Sequence, residues 1–134
     1  MADKRIWVVD DDEVDLMTYK RVFGVLDRSD LAVIYFDRSE TMLDALNSES
    51  ERPELIFLDL NLPGLSGIEA LCQIKQLTHT LPVVILSTSS SNIDVTGALK
   101  AGANAYFDKP IDFNHFSDVI EVNLNFWLDR NLRK

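Results

Sequence analysis

Four places along the chain carry side chains that can do chemistry together. Asp10-Asp11-Asp12 closes the first apolar run, and Asp59 closes the third, ahead of Leu60-Asn61-Leu62-Pro63-Gly64. Ser87-Thr88-Ser89 closes the fourth, and Asp108-Lys109-Pro110 the fifth. Carboxylates gathered at one rim repel each other: two unit charges about 4 Å apart cost roughly 4 kcal/mol at an effective dielectric near 20. Either their pKa values rise or a cation joins them. Mg²⁺ suits such a group, because it takes one or two carboxylates together with waters and a phosphate oxygen. Lys109 adds a fixed positive charge and Ser87 a neutral donor. A carboxylate nucleophile beside a metal, a lysine and a hydroxyl is equipped to accept a phosphoryl group, a reaction governed by positioning and charge neutralisation.

The elements that must bring these residues together are legible in the apolar pattern. Ile6–Val9, Leu31–Phe36, Leu55–Leu58, Val83–Leu86 and Ala105–Phe107 read as five short strands. Several are apolar throughout, as strands covered on both faces are. Between and after them lie helical patterns over Glu13–Val25, Ser39–Asn47, Gly67–Leu77, Ser91–Ala101 and Asp112–Arg130. Ser91, three residues before Asp94, reads as a helix N-cap, and Gly102 as the left-handed stop of the same helix. Pro53, Pro63, Pro82 and Pro110 stand at element edges, where a missing amide donor does no harm. This (βα)5 alternation, with right-handed crossovers, predicts an α/β fold with a parallel sheet between two helical layers. In such sheets ligands bind beyond the carboxyl ends of the strands, where the acids, Ser87 and Lys109 fall.

Composition narrows the function classes. The 134 residues are 46% hydrophobic and 26% charged, which suits one ordered domain over 1–134 and excludes general disorder. The net charge of −9 argues against binding nucleic acid or an anionic membrane through the overall field. Cys72 has no second cysteine to pair with, and no Cys/His cluster suggests zinc. The apolar runs are far shorter than a membrane span, and the first residues lead straight into a strand pattern with no signal-peptide core. The expectation is a soluble, cytoplasmic protein.

Val8-Val9-Asp10-Asp11-Asp12, Leu58-Asp59-Leu60-Asn61-Leu62-Pro63-Gly64, Val83-Val84-Ile85-Leu86-Ser87 and Gly102-Ala103-Asn104-Ala105-Tyr106-Phe107-Asp108-Lys109-Pro110 together resemble the CheY-like receiver domain of two-component response regulators, here in a stand-alone form. The likeness covers about residues 4–129. It implies a flavodoxin-like three-layer sandwich of strand order 2-1-3-4-5. It also implies that Asp59 is the phosphoacceptor and that Asp10, Asp11, Asp59 and the main-chain carbonyl of Asn61 hold Mg²⁺. Lys109 would pair with the phosphoryl oxygens, and the peptide at Lys109-Pro110 is often cis in such domains. Ser87 would be the switch hydroxyl and Tyr106 the aromatic that follows it. Phosphorylation would then reshape the surface of the fourth helix, fifth strand and fifth helix. A sensor histidine kinase or a histidine phosphotransfer protein would donate the group, and a protein target would read it. Such a domain catalyses its own phosphorylation and dephosphorylation and is not a metabolic enzyme; with no second domain in the pattern, it acts on no nucleic acid and no membrane directly. Thr88 stands where a smaller residue is common and would hinder the donor's approach. Asn61 and Ser89 are poor at directing water, which implies moderate to slow self-dephosphorylation.

Each residue has a plainer reading. An Asp run before a helix is usually capping, and Asp12 fits that role. Tyr106 alone would be a half-buried aromatic. Trp7 should lie in the core, Cys72 should be buried beside Ile68 and Leu71, and His79 and His115 should lie on the surface. Gly64 and Gly67 suit a tight turn, since no phosphate-cradling glycine pattern is present. Three rival functions have weaker support. A flavin or nucleotide module lacks its loop after the first strand. An aspartyl phosphatase needs an acid where Asn61 stands. A degenerate docking domain would not retain the acids and the lysine.

The last helical pattern carries surplus apolar surface. Phe113, Phe116, Ile120, Leu124 and Trp127 follow one face. Val119, Val122 and Phe126 form a second stripe, read as an interaction face and a homodimer contact. The ending Phe126-Trp127-Leu128 resembles receivers that serve phytochrome-type sensor kinases.

Overall fold

A computed structural model describes residues 4–48, 51–88 and 91–129. Five strands, β1 (Lys4–Val9), β2 (Leu31–Phe36), β3 (Leu55–Leu58), β4 (Val83–Ser87) and β5 (Ala105–Asp108), alternate with α1 (Glu13–Leu26), α2 (Ser39–Asn47), α3 (Gly67–Leu77), α4 (Asn92–Lys100) and α5 (Phe113–Asn123). All strand pairs are parallel, in the order β2-β1-β3-β4-β5. This is the flavodoxin-like α/β architecture expected from the sequence.

Alternation along the strands splits the core in two, because successive side chains point to opposite faces. Trp7, Val9, Ile56, Leu58, Val83 and Ile85 pack against Met42, Leu46, Leu71, Ile74 and Ala98, on the side of α2, α3 and α4. Ile6, Val8, Leu55, Phe57, Val84 and Leu86 pack against Tyr19, Val22, Phe116 and Ile120, on the side of α1 and α5. Burial on both faces is why these strands read as unbroken apolar runs. Tyr19 stands at the centre of the second layer, its ring edge-on to Phe116 at 5.0 Å between centroids.

Local signals set the helix ends. Asp12 caps α1 by accepting from the amides of Val14 and Asp15. Ser66 and Glu69 form a reciprocal capping box at α3, and Ser91 caps α4 through the amide of Asp94. Gly102, with φ of 109°, ends the α4 region as expected. Gly64, at φ 70°, occupies the left-handed region in the turn after β3, where a side chain would be strained.

Four expectations need correction. The last helix is not α-helical to Arg130: α5 stops at Asn123 and a π-helical segment, Leu124–Asp129, follows. Buried Asn123 donates its side-chain amide to the Val119 carbonyl at 2.8 Å and accepts from Trp127 Nε1 at 3.1 Å. A side chain inserted among ladder carbonyls disturbs regular winding at that turn. Val119 is buried, not exposed, because the core-facing arc of α5 is wide enough to include it beside Tyr19 and Val22. Cys72 is exposed, because the buried face of α3 runs through Gly67, Ala70, Leu71 and Ile74, and the residue after Leu71 rotates about 100° away from it. No cis peptide bond occurs among the described residues, Lys109-Pro110 included. Trp7 is buried, and His79 and His115 are exposed, as expected.

Candidate functional site

Register brings the strand ends level. Val9 pairs with Leu58, so Asp10 and Asp59 emerge side by side, and Ser87 pairs with Asp108, so Lys109 follows at the next position. Main-chain bonds fix each exit: Asp10 N–H to the Phe36 carbonyl at 3.0 Å, Asp59 N–H to Val9 at 3.0 Å, and Lys109 N–H to Ser87 at 2.9 Å. The sheet itself thus carries three far-apart segments to one rim.

Lys109 Nζ reaches back into the acids. It lies 2.7 Å from Asp10 Oδ2, 2.7 Å from Asp15 Oδ2 and 3.3 Å from Asp59 Oδ2. Its side chain is 6% exposed, that of Asp10 0% and that of Asp59 6%, so these charges interact with little solvent between them. Burial pushes the Asp10 carboxyl up to about 6, against the opposing pull of Lys109 and of the Asp12 amide. Burial works against the Lys109 charge, but the close Asp10 and Asp15 carboxylates outweigh it and hold the ammonium above its usual range.

The residues fit a divalent cation. One carboxylate oxygen from each of Asp10, Asp11 and Asp59 lies within 4.8 Å of the others. Asp10 Oδ2 is sealed from solvent with Lys109 beside it, yet among the described residues no hydrogen-bond partner is aligned on it. Against these three acids and Asp15, Lys109 supplies one positive charge, and an oxygen-lined site with this excess suits a hard metal ion.

The expected residues otherwise divide as follows. Asn61 is at the rim; its amide N–H donates to Asp59 Oδ1 at 3.3 Å and its side-chain amide to Ser87 Oγ at 3.2 Å. Ser87 is fully buried. Tyr106 is half-buried and packs against the α2–α4 side of the core. Asp12 is a helix cap whose own amide donates to Asp10 Oδ1 at 2.9 Å. Thr88 is exposed, and Ser89 lies outside the described residues. Val122 and Phe126 are exposed on α5 and the segment after it, but Val119 is not part of that face.

Sequence reasoning missed two participants, Asp15 and Glu40, and read a third, Gly67, as a turn residue when it begins α3. Asp15 binds Lys109 from α1, and its position in the first turn of a capped helix was the available signal. Glu40 Oε2 accepts from the Leu65 amide at 3.2 Å and steadies the turn after Asp59. Gly67 lets α3 begin against the main chain of Asp59 and Leu60, closer than any side chain allows.

The sequence matches the response regulator receiver domain family over residues 6–121, and the chain belongs to that family, the receivers of two-component systems. It is 37% identical over 110 residues to the alkaline phosphatase synthesis transcriptional regulatory protein PhoP of Bacillus subtilis, a match covering 81% of this chain and 43% of PhoP. It is 32% identical over 125 residues to the DNA-binding transcriptional regulator NtrC of Escherichia coli, covering 93% of this chain and 26% of NtrC. The chain therefore spans less than half the length of these curated relatives. The phosphorylated cyanobacterial phytochrome response regulator RcpA superposes with a TM-score of 0.87 at 27% identity, covering 99% of this chain and 100% of RcpA. The Mn²⁺-bound form of response regulator Rcp1 does so with a TM-score of 0.82 at 30% identity, covering 94% and 95%. Among the described residues no helix is long and apolar enough to cross a membrane.

Proposed function

We propose that Asp59 accepts a phosphoryl group from the phosphohistidine of a sensor histidine kinase or a histidine phosphotransfer protein, and that the phosphorylated domain switches a protein target or passes the group on. The observation that carries this is the convergence on Asp59 of Asp10, Asp11 and the Lys109 ammonium, 3.3 Å from Asp59 Oδ2. An Asp59 oxygen attacks phosphorus, the P–N bond breaks, and the imidazole nitrogen keeps the electron pair and takes a proton. Lys109 meets the charge on the phosphoryl oxygens. Asp10, Asp11, Asp59 and the main-chain carbonyl of Asn61 would hold Mg²⁺, which when bound would supply further neutralisation of the phosphoryl charge. Return to the resting state is attack of water on phosphorus, releasing inorganic phosphate and restoring the carboxylate.

Ser87 is the hydroxyl that turns toward the phosphoryl group, which breaks the bond it accepts from Asn61, and Tyr106 follows. The switch is one receiver domain over 1–134, acting in the cytoplasm. The overlap with the cyanobacterial phytochrome response regulator RcpA supports a phytochrome-type kinase as the donor. The exposure of Val122 and Phe126 supports a homodimer through α5 and the segment after it. Sedimentation of Phe126→Asp beside the parent tests this, and an unchanged association state removes the dimer.

The deciding experiment is labelling with acetyl phosphate and Mg²⁺. Acid-labile label is expected on the parent and not on Asp59→Asn. Equal labelling of both refutes the assignment.

A further inference from the structure

Lys109 has three N–H donors, and the phosphoacceptor receives the weakest share of them. Asp15 Oδ2 takes a well-aligned hydrogen bond at 2.7 Å, whereas Asp59 Oδ2 stands off at 3.3 Å. The Asp15 carboxylate is held in place by a closed ring of contacts. Asp10 Oδ1 accepts from the Asp12 amide, and Asp12 Oδ1 accepts from the amides of Val14 and Asp15. Asp15 Oδ2 accepts from Lys109, whose ammonium lies 2.7 Å from Asp10 Oδ2. The strand end, the helix cap and the lysine thereby fix Asp15 where it competes for the one ammonium that faces Asp59.

We infer that Asp15 is a positioning residue: it draws Lys109 toward α1 in the resting protein and gives it up when a phosphoryl group occupies Asp59. This rests on the reading of Asp59 as the phosphoacceptor. Of the lysine's partners Asp15 is the one that can let go. Asp10 is fully buried and one of its oxygens is tied to the Asp12 amide, while the Asp15 side chain is 24% exposed and is readily rehydrated. A phosphoryl group adds oxygens carrying more charge than a carboxylate, so the ammonium moves toward Asp59 at the expense of the partner nearest to water. Asp15 also places a negative charge beside the space an anionic donor must enter, so its two effects have the same sign. Both oppose loading of Asp59.

Beryllofluoride, a non-covalent stand-in for the phosphoryl group, tests this in the full chain with Mg²⁺. The dissociation constant is measured for the parent, Asp15→Asn, Asp15→Glu and Asp59→Asn. The Asp15→Asn variant is expected to bind about threefold to tenfold more tightly, a range set by partial solvent screening of a charge-assisted bond. Asp15→Glu is expected to return toward the parent value. Unchanged or weaker binding by Asp15→Asn, while the parent binds and Asp59→Asn does not, overturns the inference and leaves the phosphoacceptor reading intact. A purely structural ion pair gives that result, shifting only the unfolding midpoint. Binding by Asp59→Asn equal to the parent overturns both. The parent alone supplies a second readout: the Asp15 carboxyl carbon resonance is expected to shift when beryllofluoride binds, and an unmoved resonance overturns the inference even if Asp15→Asn does not fold.

Discussion

Gly67→Ala isolates the packing that positions Asp59. Gly67 is the first residue of α3, with its N–H donating to the Leu60 carbonyl at 3.0 Å. A Cβ there would stand 2.4 Å from the Asp59 carbonyl oxygen and 2.4 Å from Leu60 Cα. Both obstacles are main chain, so no side chain can turn aside. Reaching ordinary contact requires α3 or the end of β3 to retreat by about 1 Å in an interior packed without slack. Overpacking of this kind costs about 1–3 kcal/mol. Weakening the bond from Gly67 to Leu60 adds about 1 kcal/mol. The helix preference for alanine returns at most about 1 kcal/mol, less at a first position than in a helix interior. The net expectation is a loss of about 1–4 kcal/mol, read as a fall of about 0.5–2 M in the urea midpoint at an m-value near 2 kcal/mol/M. Because Asp59 is the residue displaced, labelling by acetyl phosphate should slow by up to about a hundredfold under conditions where the variant remains folded. Gly24→Ala is the control: nothing lies within 4 Å of a Cβ at that exposed helix position, so stabilisation by about 0.5–1 kcal/mol is expected. A Gly67→Ala midpoint equal to the parent, or equal losses in both variants, would show that the close approach of α3 to Asp59 does not hold the site.

Mg²⁺ at ten times its dissociation constant should raise the unfolding free energy by about 1.4 kcal/mol, and Asp11→Asn, at an exposed position, should remove most of that gain. A thermal shift that survives in Asp11→Asn would exclude Asp11 as a ligand. At the opposite side of the molecule, Arg28 pairs with Asp30 and Asp129, and its guanidinium holds the Asp30 carboxyl down at about 2 and Asp129 below its usual value. Folded pKa values below the unfolded ones mean that this support is complete above about pH 4 and is lost as pH falls toward 2. The stability difference between parent and Arg28→Gln should therefore shrink over that window; a constant difference from pH 5 to pH 2 contradicts the pairing. The phosphorylated parent should keep its label for minutes, since an amide at Asn61 directs water poorly onto the acyl phosphate. A lifetime of a few seconds by acid-quench counting would refute that.

The central strands were legible because both faces of β3, β4 and most of β1 are buried, which leaves unbroken apolar runs; the polar strand ends were not. Lys4 and Arg5 extend β1 by pairing with Leu31 and Ala32, and Ser87 and Asp108 extend β4 and β5 by pairing with each other. Nothing in their side chains advertises a strand, because the neighbour supplies the ladder. Helix faces failed in a different way. Spacing places Cys72 and Val119 on a helix face but leaves the phase of the buried arc open, and contacts from neighbouring elements decide it. The end of α5 depends on Asn123 finding both Val119 and Trp127, a polar arrangement that hydrophobic period cannot register. The site shows the same division. Asp10, Asp59 and Lys109 could be brought together on paper, because each follows a strand and the carboxyl edge of a parallel sheet collects such residues. Asp15 could not, because an acid in the first turn of a helix is already accounted for by the helix dipole. Its partner is 94 residues away on another element, and only the lysine's path back across the rim reveals it. A residue with a sufficient local explanation is where a sequence reading stops looking, and here that residue shares Lys109 with Asp59.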